Sequence, residues 1–182
     1  MTRRLTVGAA GVALAASTLA ACSSDRDERL VAALRDASAP ALFAPSYAGH
    51  GPRSFVVNAD HSVTLAYGTG FAPTLTLRKA PPGDLCAGRA PEWDRCQAVD
   101  GDGVRLGFEE MGAVVVRRAG TELFWSNISF EMPDEDFTSD DARQDAIDAR
   151  VSTFVRASRR ATQLSPGELV DRVPKGTVTA AS

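Results

Sequence analysis

The chain has few of the residue types on which metal sites and polar catalysis most often depend. It has 182 residues, among them only two histidines, three cysteines and two tyrosines, and lysine occurs only at positions 79 and 175. The net charge of −3 at pH 7 argues against a nucleic-acid partner, because such proteins present a strongly basic surface. The apolar stretch 5–21 consists mostly of alanine and glycine, whereas a membrane-spanning helix needs about 20 strongly apolar residues.

Known catalytic motifs are also lacking. There is no Gly-x-Ser-x-Gly, Ser-x-x-Lys or His-Glu-x-x-His sequence. His50 lies in a Gly/Pro-rich segment and His61 in a predicted hairpin turn, so we expect both to be exposed rather than to act as catalytic bases. Glu109 and Glu110 are adjacent at a strand end and would point to opposite faces. We therefore expect no catalytic residues and no enzyme activity.

Two acidic segments contain carboxylates of the kind that bind calcium. Residues 100–103 begin like an EF-hand loop, but the fifth and twelfth positions, which need oxygen ligands, are Val104 and Met111. Six acids between Glu131 and Asp141 can gather a cation, yet acids before a helix also favour its positive N-terminal end. The sequence predicts a turn and a solvated helix start, with no metal or other cofactor.

What the chain does have is a distinctive N-terminal pattern. Arg3 and Arg4 precede the apolar stretch, and Leu19-Ala20-Ala21 stands directly before Cys22. A basic segment, a short apolar segment and small residues at a cleavage point form a secretory signal. With cysteine after the cut, the segment resembles the lipobox signal of bacterial, actinomycete-type lipoproteins. The resemblance implies that residues 1–21 are removed and that Cys22 is lipidated.

This resemblance implies a location and one partner. The protein is expected at the extracytoplasmic face of the cell membrane, held there by lipid on Cys22, since two acyl chains anchor firmly where one does not. Cleavage takes away Arg3 and Arg4 and no acid, so the net charge of −3 would become −5. The arginine pair leaves the export route, Sec or twin-arginine, open.

The other two cysteines, Cys86 and Cys96, are expected to form a disulfide. Disulfides persist in an export compartment, and closing a loop of about ten residues stabilises by roughly 2.5–3 kcal/mol. A metal site would need further ligands nearby, and both histidines are distant in sequence. Trp93, inside this loop and flanked by charged residues, is a candidate contact surface because tryptophan is enriched at interaction hot spots; the alternative is local packing over the disulfide.

The middle of the chain has the pattern of an antiparallel sheet. Alternating apolar and polar residues predict six strands with short turns between them, which favours a meander. The candidate strands are Phe55–Asn58, Val63–Tyr67, Thr74–Arg78, Val104–Glu109, Ala113–Arg118 and Leu123–Ile128.

Helical patterns flank these strands. Ser24 is expected to cap a short helix that ends before Pro40, Ser139 a long helix to Ala161, and Ser165 a last helix to Arg172. The prediction is an α+β fold: an antiparallel β-meander of five to six strands with the long C-terminal helix on one face. The expected organisation is a signal peptide (1–21), a lipidated cysteine with helix and linker (22–53), one domain (54–176) and a frayed tail (177–182).

Three functions remain open on this sequence. The leading hypothesis is a non-enzymatic binding module of the cell envelope with an envelope protein as partner and an unknown oligomeric state. The second is a carrier or sensor of an apolar ligand, in a cavity lined by Leu65, Leu77, Phe108 and Trp125. The third is an envelope hydrolase. The region after Cys22 resembles uncharacterised secreted actinomycete proteins in the arrangement of its segments only, so no site residue carries over.

Overall fold

The fold was examined in a computed structural model, which describes residues 15–70, 72–86, 95–99, 103–108, 111–129 and 139–174. For residues 15–24, 95, 104–108, 111 and 129 only the backbone is described. Within these ranges the chain forms an α+β fold in which a long helix packs on an antiparallel sheet, as predicted.

Three helices and nine strands are found in the described ranges. In chain order they are α1 (Ala15–Arg35), β1 (Leu42–Phe43), β2 (Ser54–Val57), β3 (Val63–Ala66), β4 (Thr74–Lys79), β5 (Arg95–Val99), β6 (Gly103–Phe108), β7 (Met111–Arg118), β8 (Thr121–Ser129), α2 (Asp140–Arg160), β9 (Gln163–Leu164) and α3 (Pro166–Arg172).

The main sheet has seven strands in the order β2-β3-β4-β8-β7-β6-β5, and every neighbouring pair is antiparallel. It consists of two meanders, β2-β3-β4 and β5-β6-β7-β8, which join where β4 pairs with β8. After β4 the chain crosses to the far edge of the sheet and begins the second meander there with β5. Strand β5 was not among the predicted strands: its residues, Arg-Cys-Gln-Ala-Val, alternate over four positions, but valine is the one residue among them that strongly favours a strand. Strand β5 is formed by pairing with β6.

One face of the sheet, the inner face, carries the main core. Its side chains are less than 2% exposed and meet the apolar face of α2, where Val151, Phe154 and Val155 are equally buried. Members of the inner face include Phe55, Leu65, Leu75, Leu77, Val114, Val116, Leu123 and Trp125. Strict alternation along each strand puts all of them on the same side.

The opposite face, the outer face, is mostly polar. Hydroxyls pair across strands there, Thr64 with Thr76 at 3.1 Å and Thr74 with Ser126 at 2.8 Å between oxygens. A small apolar cluster of Leu85, Ala113 and Val115, with Phe124 beside it, covers part of this face next to the disulfide. The two faces therefore differ in how they are stabilised.

The two C-terminal helices begin and end as predicted. The Ser139 side chain accepts a hydrogen bond from the backbone of Ala142 at the start of α2, and Arg159 and Arg160 occupy its last turn. Ser165 caps α3, with Pro166 at the first position and a reciprocal bond from its backbone N–H to Glu168. These caps satisfy backbone groups that have no partner inside the helix.

The N-terminal helix differs from the prediction. Ser24 is not its cap, because α1 runs without interruption from Ala15 through Ser24 to Arg35. The alanine-rich residues before Ser24 favour helix strongly enough to extend it backwards. Leu30 and Leu34 of α1 are buried in the core cluster that also contains Leu169 of α3.

Candidate functional site

The residues singled out from the sequence are distributed over the molecule. Cys22 lies within α1, but its side chain is outside the described part of the structure, as is all of Trp93. His50 and His61 are exposed and lie on separate turns. Glu109, Glu110 and residues 131–138 also lie outside the described ranges. Those of the singled-out residues that the structure describes therefore do not form a common site.

The predicted disulfide is present. Cys86 and Cys96 are bonded with their Cα atoms 5.8 Å apart. Both cysteines pack beside Leu85, Ala113 and Val115 on the outer face. The bond therefore ties the segment after β4 to the far-edge strand β5.

Three of the four residues named for an apolar ligand are core residues. Leu65, Leu77 and Trp125 have no exposed surface and pack in the core cluster, while the side chain of Phe108 is outside the description. Trp125 contacts the rings of Tyr47, Tyr67 and Phe154 at centroid distances of 5.0–6.1 Å. Its Nε1–H donates to the Ser158 hydroxyl at 2.8 Å. Neighbouring side chains thus occupy the space around Trp125.

A cleft of about 510 Å³ lies elsewhere, where the C-terminal half of α2 meets α3 and the segment after β1. Its size is typical of small-molecule sites, but its lining is polar and basic. The lining residues are Ala44, Pro45, Ser46, Thr153, Arg156, Ala157, Arg160, Ala161, Thr162 and Arg172. Three are arginines with exposed side chains, and none is an acid.

The β1–β9 pair sets the shape of this cleft. Phe43 pairs with Gln163 and Leu42 with Leu164, so the chain that continues from β1 lies beside the turn between α2 and β9. The neighbouring wall positions on α2, Ala157 and Ala161, are alanines. Small side chains there leave the space open.

Arg118 fixes the end of α2 next to the cleft. Its guanidinium lies 4.7 Å from the centre of the Phe43 ring and donates to the backbone carbonyls of Ser158, at 2.9 Å, and Ala161. Unsatisfied carbonyls give a helix C-terminus partial negative charge. The positively charged side chain of Arg118, the last residue of β7, compensates this charge. The sequence placed Arg118 only at the start of a hairpin turn, so this role was not predicted.

The floor of the cleft is held by Tyr67. Its hydroxyl donates to the Pro45 carbonyl at 2.7 Å, and its burial raises its pKa above the ordinary value of 10.0. Tyr67 therefore stays neutral and keeps this hydrogen bond across the usual pH range. In α3, Glu168 is turned towards Ser165: the backbone N–H of Ser165 donates to its carboxylate at 2.7 Å.

The hydrogen bond from the Ser165 backbone is the main cause that lowers the pKa of Glu168; the bond with the Ser165 side chain and then the charge of Arg172 add to it. Its carboxylate is therefore ionised at neutral pH and held in the cap of α3. Arg172, one turn further along α3, still lines the cleft.

Comparison with known proteins gives no relative. No protein-family model matches the chain, and no curated protein and no solved structure is significantly similar to it. Within the described residues no helix is long and apolar enough to cross a membrane. The same part of the chain holds no group of three or more metal-ligating side chains placed to share an ion.

Proposed function

We propose that the protein is a lipid-anchored, extracytoplasmic binding module of the cell envelope, without enzymatic activity. The observation that carries the proposal is the pairing of its cysteines. The chain has three, and the disulfide uses Cys86 and Cys96. The remaining one, Cys22, directly follows Leu19-Ala20-Ala21. A structural disulfide fits an oxidising compartment, and the unpaired cysteine stands where the lipoprotein signal requires it.

The arrangement of α1 is compatible with a short tether. Leu30 lies eight positions after Cys22 and is the first core residue among the α1 side chains that the structure describes. As helix, this separation spans about 12 Å. Lipid on Cys22 would therefore keep the folded domain close to the membrane surface, where other envelope proteins are within reach.

The anchor is tested by expressing the whole chain in a bacterium that processes lipoproteins. Wild-type protein is expected in the membrane fraction, with the diacylglyceryl mass on an N-terminal peptide that begins at Cys22. The Cys22→Ser variant should lose both the added mass and the membrane association. The Cys86→Ser/Cys96→Ser double variant is the matched control, because it replaces the other two cysteines together but leaves the signal intact. A soluble, unmodified wild-type protein would overturn the proposal.

The binding role is tested separately, through Trp93. A photo-crosslinking amino acid at position 93 is expected to trap a membrane or envelope protein of one defined mass in intact cells. The same amino acid at exposed Arg143 on α2 serves as control. Equal products from both positions, or none from position 93, would reject Trp93 as the contact surface.

The apolar-carrier function is not carried forward. Its three described residues fill the core, as shown above, and the cleft has a charged lining.

A further inference from the structure

The cleft described above concentrates positive charge in an acidic protein. Arg156 and Arg160 come from α2 and Arg172 from α3, and all three line the same space. The whole chain has a net charge of −3, so this concentration does not reflect a generally basic surface. With no acid among the lining residues, the charge of the three guanidinium groups is not balanced inside the cleft.

Most of the donors of these arginines remain available. Arg156 uses Nε to donate to the Ser152 carbonyl at 3.2 Å, which leaves its terminal nitrogens. In the part of the chain that the structure describes, Arg160 and Arg172 make no hydrogen bond or close ion pair. Glu168 lies one turn before Arg172 on the same face of α3, but its carboxylate is bound to Ser165 in the α3 cap.

Helix-dipole compensation does not account for the cluster. Basic residues commonly end a helix because its last carbonyls carry partial negative charge. Near the end of α2, the carbonyls of Ser158 and of the C-cap residue Ala161 already accept hydrogen bonds from Arg118. Arg160 and Arg172 lie in the last turns of α2 and α3, but Arg156 lies a full turn before the end of α2. Helix dipoles therefore do not explain why the three arginines converge on one space.

We infer that this cleft binds the phosphate group of a small phosphorylated molecule or of an anionic lipid headgroup, held by Arg156, Arg160 and Arg172. Guanidinium groups match the oxygens of phosphate in a bidentate geometry. A phosphomonoester carries about −1.5 to −2 charges at pH 7, so it balances more of the cleft's charge than a single carboxylate does. The hydroxyls of Ser46 and Thr162 line the same space and add donors.

This inference goes beyond the proposed function, since it holds whether or not Cys22 is acylated. It is tested on the protein as cells make it, purified in a non-ionic detergent. The probes for calorimetric titration are inorganic phosphate, glycerol 3-phosphate, and detergent micelles doped with phosphatidic acid, a lipid whose headgroup is a phosphomonoester. Binding of the first two identifies a soluble ligand, whereas binding of doped micelles alone identifies a lipid headgroup. Both results support the phosphate site.

The arginine variants decide whether binding occurs in the cleft. Arg160→Gln and Arg172→Gln should each weaken binding roughly tenfold to hundredfold, as expected for a lost hydrogen bond between charged groups. Ser46→Asp should abolish it by placing a carboxylate among the arginines. Arg143→Gln, which removes an exposed arginine of α2 outside the cleft, is the control and should bind like wild type.

All these positions are exposed, so the variants are expected to fold, and circular dichroism checks this. Binding should also weaken as salt is raised, because exposed charges are screened. The inference is overturned if no probe binds at millimolar concentrations, if the cleft variants bind as well as wild type, or if acetate binds as tightly as phosphate.

Discussion

The two faces of the sheet are built on different principles, and two adjacent residues of β8 show the difference. Trp125 points to the inner face, is fully buried, and is surrounded by aromatic rings and the Ser158 hydroxyl. Phe124 points to the outer face, is half-buried, and has the Arg78 guanidinium 5.6 Å from its ring centre. The inner face is stabilised by apolar burial beneath α2, and the outer face by local polar pairs and a covalent bond.

Glu122, on the outer face, is fully buried although it is charged. Its carboxylate accepts two hydrogen bonds from Arg78, at 2.9 Å from Nε and 2.7 Å from Nη2. A buried carboxylate is tolerated only when it is paired in this way. Arg117 of β7 is the cross-strand partner of Glu122 of β8, and its side chain donates to the Pro81 carbonyl at 2.8 Å. Polar contacts thus hold the segment after β4 onto this face.

The largest difference is expected between Trp125→Ala and Phe124→Ala. Removing a fully buried aromatic ring costs roughly 3–5 kcal/mol of the free energy of unfolding, and Trp125→Ala also leaves the Ser158 hydroxyl without its donor. Phe124 is half-buried, so its loss should cost about 1–2 kcal/mol. Urea unfolding followed by circular dichroism measures both values. An equal cost for the two variants would contradict the contrast between the faces.

The next largest effect is expected from the disulfide. Replacing both Cys86 and Cys96 by serine removes the constraint on a loop closed over a sequence separation of 10 residues, which should cost about 2.5–3 kcal/mol. For a protein of this size the melting temperature should fall by roughly 5–12 °C. Differential scanning calorimetry measures the fall.

A reductant control separates the covalent bond from packing. Reduced wild-type protein should melt close to the serine variant, and the variant itself should not respond to reductant. If the variant melts like oxidised wild type, the outer face does not depend on the covalent bond.

The parts of the fold that were predicted correctly are those encoded by neighbouring residues. Ser139 and Ser165 are helix caps with local geometry, and alternation along β3 and β8 places their apolar residues on one face. The Arg118–Thr121 hairpin is also local: Ala119 and Gly120 have the positive φ angles, 48° and 74°, of a tight turn between antiparallel strands. Such signals need no knowledge of distant partners.

The missed features depend on contacts between distant segments. Strand β1 exists through its pairing with β9, more than a hundred residues away. Strand β5 is the exception, because it pairs with β6, its neighbour in the chain. The arginine cleft is of the same kind as β1. Arg156 and Arg160 lie in the C-terminal half of α2 and Arg172 at the end of α3, and only the packing of α3 and of the β1–β9 pair brings them to one space. Their pattern in sequence does not contain that convergence.

The smallest predicted effect on stability concerns the turn between β2 and β3, where polar contacts stabilise the end of the outer face. Asp60 Oδ1 accepts hydrogen bonds from the Ser62 hydroxyl at 2.6 Å and from the Ser62 backbone N–H at 3.0 Å. The bond with the Ser62 side chain, and next the bond with its backbone, holds the pKa of Asp60 below its ordinary value of 3.8. The charged form is therefore favoured by folding, and its contribution to stability is present above pH 3.8 and is lost as the pH falls through the folded-state pKa.

The Asp60→Asn variant keeps the Oδ1 acceptor but does not titrate, so it separates charge from hydrogen bonding. Its unfolding free energy should lie slightly below that of wild type at pH 7, and the gap should close on acidification. Ser62→Ala removes the main cause of the lowered pKa and should also reduce the loss of stability in acid. Glu168 is unchanged in all three proteins, so its own lowered pKa cancels in the comparison. A gap that widens towards low pH would mean that this turn is stabilised by the neutral rather than the charged carboxyl, against the polar-pair account of the outer face.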